Sequence, residues 1–417
     1  MAYFSRSISQ SLKSPATLAV CSAFALLLAA GCNDDDIMGT PGNGASTGGG
    51  GSAGSGGGAG NGGGAGNGGD AGVIPSGPNG TIEVLSTGPE LRAPTTAAVR
   101  GNNLWVVNGQ LGGLFGGPAP VLPFNVVSVP LAGGAVGDTA IELPGAGFYP
   151  EGIAAAADGT LFIGSLPLGT VLRVAPDSTT PTPFVAAGVA QRGVVGLTVD
   201  ENRDVLWFCD SNPLAAVTGG AIVGVSLDDG GELVRHAMPN PGSAPLAVDA
   251  GAVDAGSDAG AGDAGAPAAA PAIATFCNDL IVDGTGNIFA TDSSGRIFRV
   301  PAASALTANS ASVWLSVPEI GPPMPGGFGA NGLDLVGGSL IIANGGLVAV
   351  NPNSNDPAST VRQISLTLDG APATLCGADG LQTVPGSSTE LVVVENGNCN
   401  PPSGDGDRIV RITLDLD

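Results

Sequence analysis

Gly286-Asn287-Ile288-Phe289-Ala290-Thr291 places two turn residues before four that suit a half-buried strand. The chain repeats this arrangement at Asn102-Asn103-Leu104-Trp105-Val106-Val107, Gly159-Thr160-Leu161-Phe162-Ile163-Gly164, Asp204-Val205-Leu206-Trp207-Phe208-Cys209, Gly338-Ser339-Leu340-Ile341-Ile342-Ala343 and Thr389-Glu390-Leu391-Val392-Val393-Val394. Most copies continue into a further alternating strand, as at Thr170 to Val174, Ala221 to Leu227, Arg296 to Val300 and Arg408 to Leu414. Once the low-complexity stretch 242–272 is set aside, residues 81–417 give about 50 residues per copy, the size of a four-stranded blade. The expected fold is all-β, a six-bladed β-propeller. An open sandwich would leave edges to protect and would not explain the repeat. The last copy lacks a fourth strand after Asp417, while Thr81-Ile82-Glu83-Val84-Leu85 precedes the first copy. That N-terminal strand is expected to complete the last blade and close the ring.

Composition narrows the chemistry. With 71 glycines, 33 prolines, 12% charged and 4% aromatic residues, the ordered part must build its core from Val, Leu, Ile and Ala. A net charge of −23 repels phosphates and excludes nucleic acid as a partner. The single histidine, His236, argues against a histidine-based metal site and against a Ser-His-Asp hydrolase.

The N-terminal segment reads as an export signal followed by a tether. Arg6 and Lys13 open residues 1–31, Ala16 to Ala30 is apolar, and Ala29-Ala30-Gly31-Cys32 resembles a lipoprotein cleavage site with Cys32 as the lipidated residue. The expected location is the bacterial cell envelope, held to the membrane through that lipid alone. From Gly39 to Gly80, 21 of 42 residues are glycine, so residues 32–80 are expected to be a flexible tether. The 242–272 stretch repeats Asp-Ala-Gly and reads as an acidic surface insertion without calcium-loop spacing. In an oxidising compartment the remaining cysteines, Cys209, Cys277, Cys376 and Cys399, allow three pairings. In a propeller Cys376 and Cys399 can meet within one blade and Cys209 and Cys277 across two, with free thiols as the other reading.

Aligned by their second strands, the copies share a position at the start of each innermost strand: Pro94, Glu151, Val195, Asn278, Asn331 and Asp379. Each is an ordinary turn residue taken alone. In the same phase of a ring, however, Glu151, Asn278, Asn331 and Asp379 point to one axis, and two carboxylates with two amides make a hard-oxygen site suited to Ca2+ or another divalent cation. The second strands end on the same face at Asn108, Ser165, Asp210, Asp292, Asn344 and Glu395. Of these, Asp210, Asp292, Asn344 and Glu395 are expected to line the pocket or orient the ligands, with hydrogen bonding to nearby turns as the alternative.

Glu151-Gly152, Asn278-Asp279 with Val282-Asp283-Gly284-Thr285-Gly286-Asn287, Asn331-Gly332-Leu333 and Asp379-Gly380-Leu381 resemble, in order and spacing, the calcium-binding propellers of the regucalcin/gluconolactonase family. The resemblance implies a metal-dependent hydrolase of lactones or related esters, with Glu151, Asn278, Asn331 and Asp379 as metal ligands and Asp379 as base or nucleophile. This chain differs from the family in two ways. A complete repeat, Pro94 to Pro144, precedes the glutamate, and Phe276 stands where lactonase members carry an arginine two residues before the asparagine. With Pro94, Val195 and Phe276 at its rim, the pocket is expected to favour a small hydrophobic ester or lactone in a monomeric protein. The alternative is a non-catalytic ligand-binding or interaction propeller in the envelope, with a structural metal or none.

Overall fold

The computed structural model describes residues 76–214, 219–241, 274–322, 328–397 and 406–416. The export segment with Cys32, the glycine-rich run to residue 75, the 242–272 insertion and Cys399 lie outside the described residues. Strand β1 (Ser76–Thr87) begins five residues before Thr81, where the strand-like composition starts. Four antiparallel four-stranded sheets then follow in chain order. The first is β2 (Pro94–Arg100), β3 (Asn103–Asn108), β4 (Asn125–Pro130) and β5 (Ala140–Glu142). The second is β6 (Pro150–Ala155), β7 (Leu161–Ser165), β8 (Val171–Val174) and β9 (Thr182–Val185). The third is β10 (Val194–Asp200), β11 (Val205–Asp210), β12 (Gly220–Ser226) and β13 (Glu232–Met238). The fourth is β14 (Cys277–Val282), β15 (Ile288–Asp292), β16 (Arg296–Val300) and β17 (Ser312–Leu315).

The remaining strands form one nine-stranded sheet rather than two separate ones. Its members are β18 (Leu333–Val336), β19 (Ser339–Ala343), β20 (Leu347–Val350), β21 (Arg362–Leu368), β22 (Ala371–Ala373), β23 (Ala378–Thr383), β24 (Glu390–Glu395), β25 (Arg408–Asp415) and β1, in the order β18-β19-β20-β21-β1-β25-β24-β23 with β22 on β21. The cause is β1, which uses both edges. It pairs antiparallel with β25, from Asn79 opposite Asp415 to Thr87 opposite Arg408, and parallel with β21 through its first half, ending at Ile82 opposite Leu368. The N-terminal strand thus lies beside the last one, as its position in the sequence requires, but it also joins the two final groups of strands.

The innermost strands β2, β6, β10, β14, β18 and β23 contact one another in that order, and β23 returns to β2. Buried apolar clusters fill the spaces between successive groups. Trp207, Ile222, Leu280 and Phe298 pack between the third and fourth sheets, and Leu104, Val106, Val392 and Ile409 between the last strands and the first sheet. The two halves of the nine-stranded sheet face each other across Ile341, Leu366, Leu391 and Val410. Successive residues of one strand enter the clusters on its two sides, Trp207 and Cys209 one and Leu206 and Phe208 the other, so a sheet covered on both faces is apolar along its whole strand. One disulfide, Cys209–Cys277, ties the end of β11 to the start of β14. Cys376 is also disulfide-bonded.

Deleting residues through Thr87 removes the strand shared by β21 and β25 and the buried side chains of Ile82 and Leu85. At about 1.5–3 kcal/mol for each side chain, the loss is about 3–6 kcal/mol before ladder hydrogen bonds are counted. Thermal unfolding against a chain starting at residue 74 is expected to show a large drop in midpoint or loss of a cooperative transition. Unchanged unfolding would show that β1 is not structural.

Candidate metal centre

The site is built by a defect repeated in the inner strands. The β2–β3, β6–β7, β10–β11, β14–β15 and β23–β24 ladders each lose register near their starts, between Pro94 and Ala97, Pro150 and Ile153, Val194 and Leu197, Cys277 and Leu280, and Ala378 and Leu381. A bulge turns the extra residues out of the ladder and re-aims their side chains. Glu151, Asn278 and Asp379 sit in these bulges. Asn331 precedes β18 and reaches the same axis differently, because its N–H bonds Ala343 O at 2.9 Å while Gly332 N–H crosses to Asp379 O at 3.0 Å. Gly152, Gly196, Gly332 and Gly380 follow the inner-strand positions because the neighbouring chain lies where a Cβ would be. That space is occupied by Val195 O at Gly152, Asp279 at Gly196, Asp379 O at Gly332 and Thr96 at Gly380.

Glu151, Asn278, Asn331 and Asp379 converge on one narrow axial space, together with Asp279 and Thr95. Glu151, Asn278 and Asp379 are only 7, 8 and 9% exposed, so their polar groups are nearly out of bulk water. Asn278 Nδ2 donates to Ser293 Oγ at 3.1 Å, and Ser293 Oγ donates to Ala330 O at 3.0 Å. With its amide nitrogen held, Asn278 presents its oxygen as the free acceptor. Asn331 Oδ1 is buried without a hydrogen-bond partner. An orphaned acceptor beside two carboxylates is costly unless a cation or a donor fills the space, and the donor set fits a hard, oxygen-preferring divalent cation. Among the described residues no three His, Cys, Asp or Glu side chains form a metal group by themselves, so the fit depends on the two amides.

The carboxylates resist ionisation in the cation-free protein. Burial, and then the charges of Asp379 and Asp279, push Glu151 well above the usual range. Burial and the charge of Asp279 push Asp379 up to about 8, against hydrogen bonds from Asn331 and Asn396. Asp279 rises to about 7 through burial, opposed by the backbone N–H groups of Leu280 and Leu333, with nearby Asp334 adding to the rise. Carboxylates crowded in this way raise one another's pKa, and a cation placed among them would relieve the repulsion. Asp279 and Asn396 were not singled out by the sequence. Asp279 looked like the second residue of a turn, although its place beside Asn278 in the repeated phase was the available clue. Asn396 lies one residue past β24, beyond the repeated pattern, and its Nδ2 donates to Asp379 Oδ2.

The strand-end residues do not line the cleft; they hold the inner strands. Asp292 accepts from Phe276 N at 2.9 Å, two residues before Asn278, and from Arg296 Nε at 2.7 Å. Glu395 accepts from Cys376 N, three residues before Asp379, and from Arg408 Nε at 2.5 Å. Asp210 accepts from Arg192 N at 2.8 Å and Gly193 N at 3.2 Å and pairs with Arg235 at 2.5 Å. Asn108 does the same for Arg92 N at 2.9 Å, Ser165 donates to Phe148 O, and Asn344 Nδ2 donates to Glu319 O at 2.7 Å. Asp210, Asp292, Asn344 and Glu395 therefore stand outside the cleft lining and make the strand-end hydrogen bonds of the alternative reading. Each is held by backbone groups, three of them with a partly buried arginine as well, and serves as a strut for the approach to an inner strand.

Above the axial space opens a cleft of about 600 Å³, floored by Glu151, Asn278, Asn331, Asp379 and Asn396. Phe276 is in its wall, edge-on to Phe328 with ring centroids 5.6 Å apart. His236 is far from this chemistry. It is buried on β13 with Nε2 on Ala305 O at 2.8 Å and Nδ1 accepting from Ser310 N at 3.1 Å, and burial lowers its pKa.

A scan against protein-family models finds no match, and a search of curated proteins finds none either. Solved structures with a similar fold do exist. A structural-genomics protein of unknown function from Bacteroides thetaiotaomicron is 11% identical with a TM-score of 0.50, covering 81% of this chain and 76% of its own. A calcium-binding regucalcin from Agrobacterium tumefaciens is 13% identical with a TM-score of 0.49, covering 80% and 95%. A protein described as a gluconolactonase is 12% identical with a TM-score of 0.46, covering 82% and 94%. The chain is an all-β protein of propeller-like arrangement. At such low identity the likeness concerns fold alone.

The raised carboxylates fix a pH dependence. A folded state that holds protons more tightly than the unfolded chain loses stability as pH rises from about 4 through about 8. In EDTA, the melting temperature is expected to be lower at pH 9 than at pH 5.5, and Asp379→Asn is expected to reduce the difference. A difference that the variant leaves unchanged would place the destabilising charge elsewhere.

Proposed function

We propose that the protein is a divalent-metal-dependent hydrolase of lactones or related esters, built on a six-bladed propeller and tethered to the bacterial cell envelope through Cys32. The observation that carries this reading is the axial donor set: Glu151, Asp379, the Asn278 amide oxygen and the partnerless Asn331 Oδ1. The blade count is supported by the closed cycle of inner strands, with the nine-stranded sheet counted as two blades joined through β1. Export and lipidation rest on the sequence around Cys32, and calcium is the cation that the oxygen-only ligands favour. A bound divalent cation supplies Lewis-acid polarisation of a carbonyl oxygen.

The chain's own groups supply the rest. Asn278 and Asn331 orient the site, because amide oxygens fixed by Ser293 and by the β18 turn need no reorganisation when a ligand arrives. Asp379 is the group in contact with the reacting carbonyl, as base or nucleophile, and Asn396 sets its orientation through Oδ2. Asp292 and Glu395 keep Asn278 and Asp379 in register by anchoring the segments before them. The apolar cleft wall excludes water from the carbonyl and favours neutral substrates.

A second reading, a non-catalytic ligand-binding or interaction propeller, is favoured by Phe276, which puts an aromatic ring where a lactonase places an arginine. The two are separated by turnover. Purified full-length protein is expected to hydrolyse neutral γ- or δ-lactones or aryl esters, to stop in EDTA and to recover with calcium, and Asp379→Ala is expected to lower kcat/KM by about 10³-fold or more. Tight ligand binding without turnover in calcium would select the second reading.

A further inference from the structure

The cleft is walled by a segment that belongs to none of the repeated strands. Between β3 and β4 the chain forms a short 3-10 helix, Leu111–Phe115, preceded by Gln110 at φ 50° and followed by Gly116 at φ 86°. Gln110 closes the base of this loop with two hydrogen bonds. Its Nε2 donates to Val121 O at 3.0 Å, and Val121 N donates to its Oε1 at 2.7 Å. Inside the loop, Gly117 N donates to Gly112 O at 2.9 Å. A long surface loop stapled at its base and bonded within itself is an ordered element.

The loop also leaves its own sheet. Leu111 and Leu114 pack against the cluster of the third and fourth sheets that contains Leu166, Val195, Cys209 and Cys277, so the segment from the first sheet extends over the axis as a strap. Leu111, Gly112, Phe115 and Pro118 from the strap face Leu166, Phe276 and Phe328 across the cleft. Among the described residues no lysine or arginine lines this cleft, and the titratable groups at its floor are acids. An anionic ligand would meet no counter-charge there, so burying it would leave its charge unpaired.

The geometry points to the 110–121 strap as the specificity element of the cleft, selecting an uncharged small molecule that lays an aliphatic or aromatic body against the strap and turns a carbonyl oxygen to the Asn278–Asp379 floor. For turnover this rests on the hydrolase reading above, whereas binding of the apolar body does not. Gly112 offers a clean way to test it, because nothing lies within 4 Å of the position its Cβ would take, so Gly112→Trp places bulk in the cleft without a backbone clash. Gly284, equally open and exposed on the turn between β14 and β15, provides the control.

Full-length protein in EDTA is titrated with Nile red, a neutral apolar fluorophore, with unfolding temperatures recorded for every variant. Saturable, blue-shifted emission is expected for the wild type and for Gly284→Trp, with affinity about tenfold weaker for Gly112→Trp at unchanged melting temperature. Gln110→Ala is expected to weaken binding in the same direction by loosening the strap. γ-Decalactone is expected to displace the probe at concentrations about tenfold lower than decanoate, which has a similar chain but carries a charge. Equal binding by wild type and Gly112→Trp, absence of saturable binding, or equal displacement by the two competitors would overturn the inference. Binding as expected without lactone turnover in calcium would instead overturn the hydrolase reading and leave the strap in place.

Discussion

The inner strands run so close to the axis that the position after the shared site residue has no room for a Cβ in four of the groups, at Gly152, Gly196, Gly332 and Gly380. This crowding is the constraint on which the remaining structure depends. Backbone oxygens and amides of one group occupy the space that side chains would need in the next, as with Gly332 N on Asp379 O and Thr95 Oγ1 on Glu151 O at 2.6 Å. A regular strand could not present a side chain into so narrow an axis and keep its ladder. The bulges resolve this by releasing residues from pairing at the point where the strands crowd. Glu151, Asn278 and Asp379 owe their convergence to this device.

Convergence has an electrostatic cost. Three acids, Glu151, Asp279 and Asp379, share a space nearly closed to water, and each is held above its ordinary pKa first by burial and then by a neighbouring carboxylate, Asp379 and Asp279 for Glu151, Asp279 for Asp379 and Asp334 for Asp279. Functional sites commonly keep such unfavourable arrangements, which are supported by the surrounding structure. Here the support is visible. Asp210, Asp292 and Glu395 are buried and paired with Arg235, Arg296 and Arg408, and each anchors the segment leading into an inner strand. Breaking the pair at Asp292 or Glu395 would leave a buried charge without its arginine and would release the strand that carries Asn278 or Asp379.

The sequence made the repeated part of this arrangement readable. Glu151, Asn278, Asn331 and Asp379 stood out because a repeat converts equal sequence phase into a common axis, whereas the glycines after three of them read as turn residues and only the structure shows the close approach they allow. What it did not reveal lies outside the repeat or depends on distant partners. The parallel pairing of β1 with β21 joins segments almost three hundred residues apart and has no local signal, so separate final blades were expected instead of one sheet. The strand-end acids were placed on the correct face, but their role depended on arginines in neighbouring strands that no local spacing connects to them. Asp279 was disguised as turn chemistry. The strap at 110–121 belongs to no repeated strand, and only its packing on the third and fourth sheets shows that it spans the cleft.

The central claim is that the axial residues are a cation site, and the most direct test is calorimetric titration of calcium into metal-stripped full-length protein beside Asp379→Ala and Asn331→Ala. The account predicts one saturable site in the intact protein, binding abolished by Asp379→Ala, and affinity reduced by Asn331→Ala, which removes the orphaned Oδ1 but no charge. Absence of binding in the intact protein, or binding that both variants retain unchanged, would contradict it.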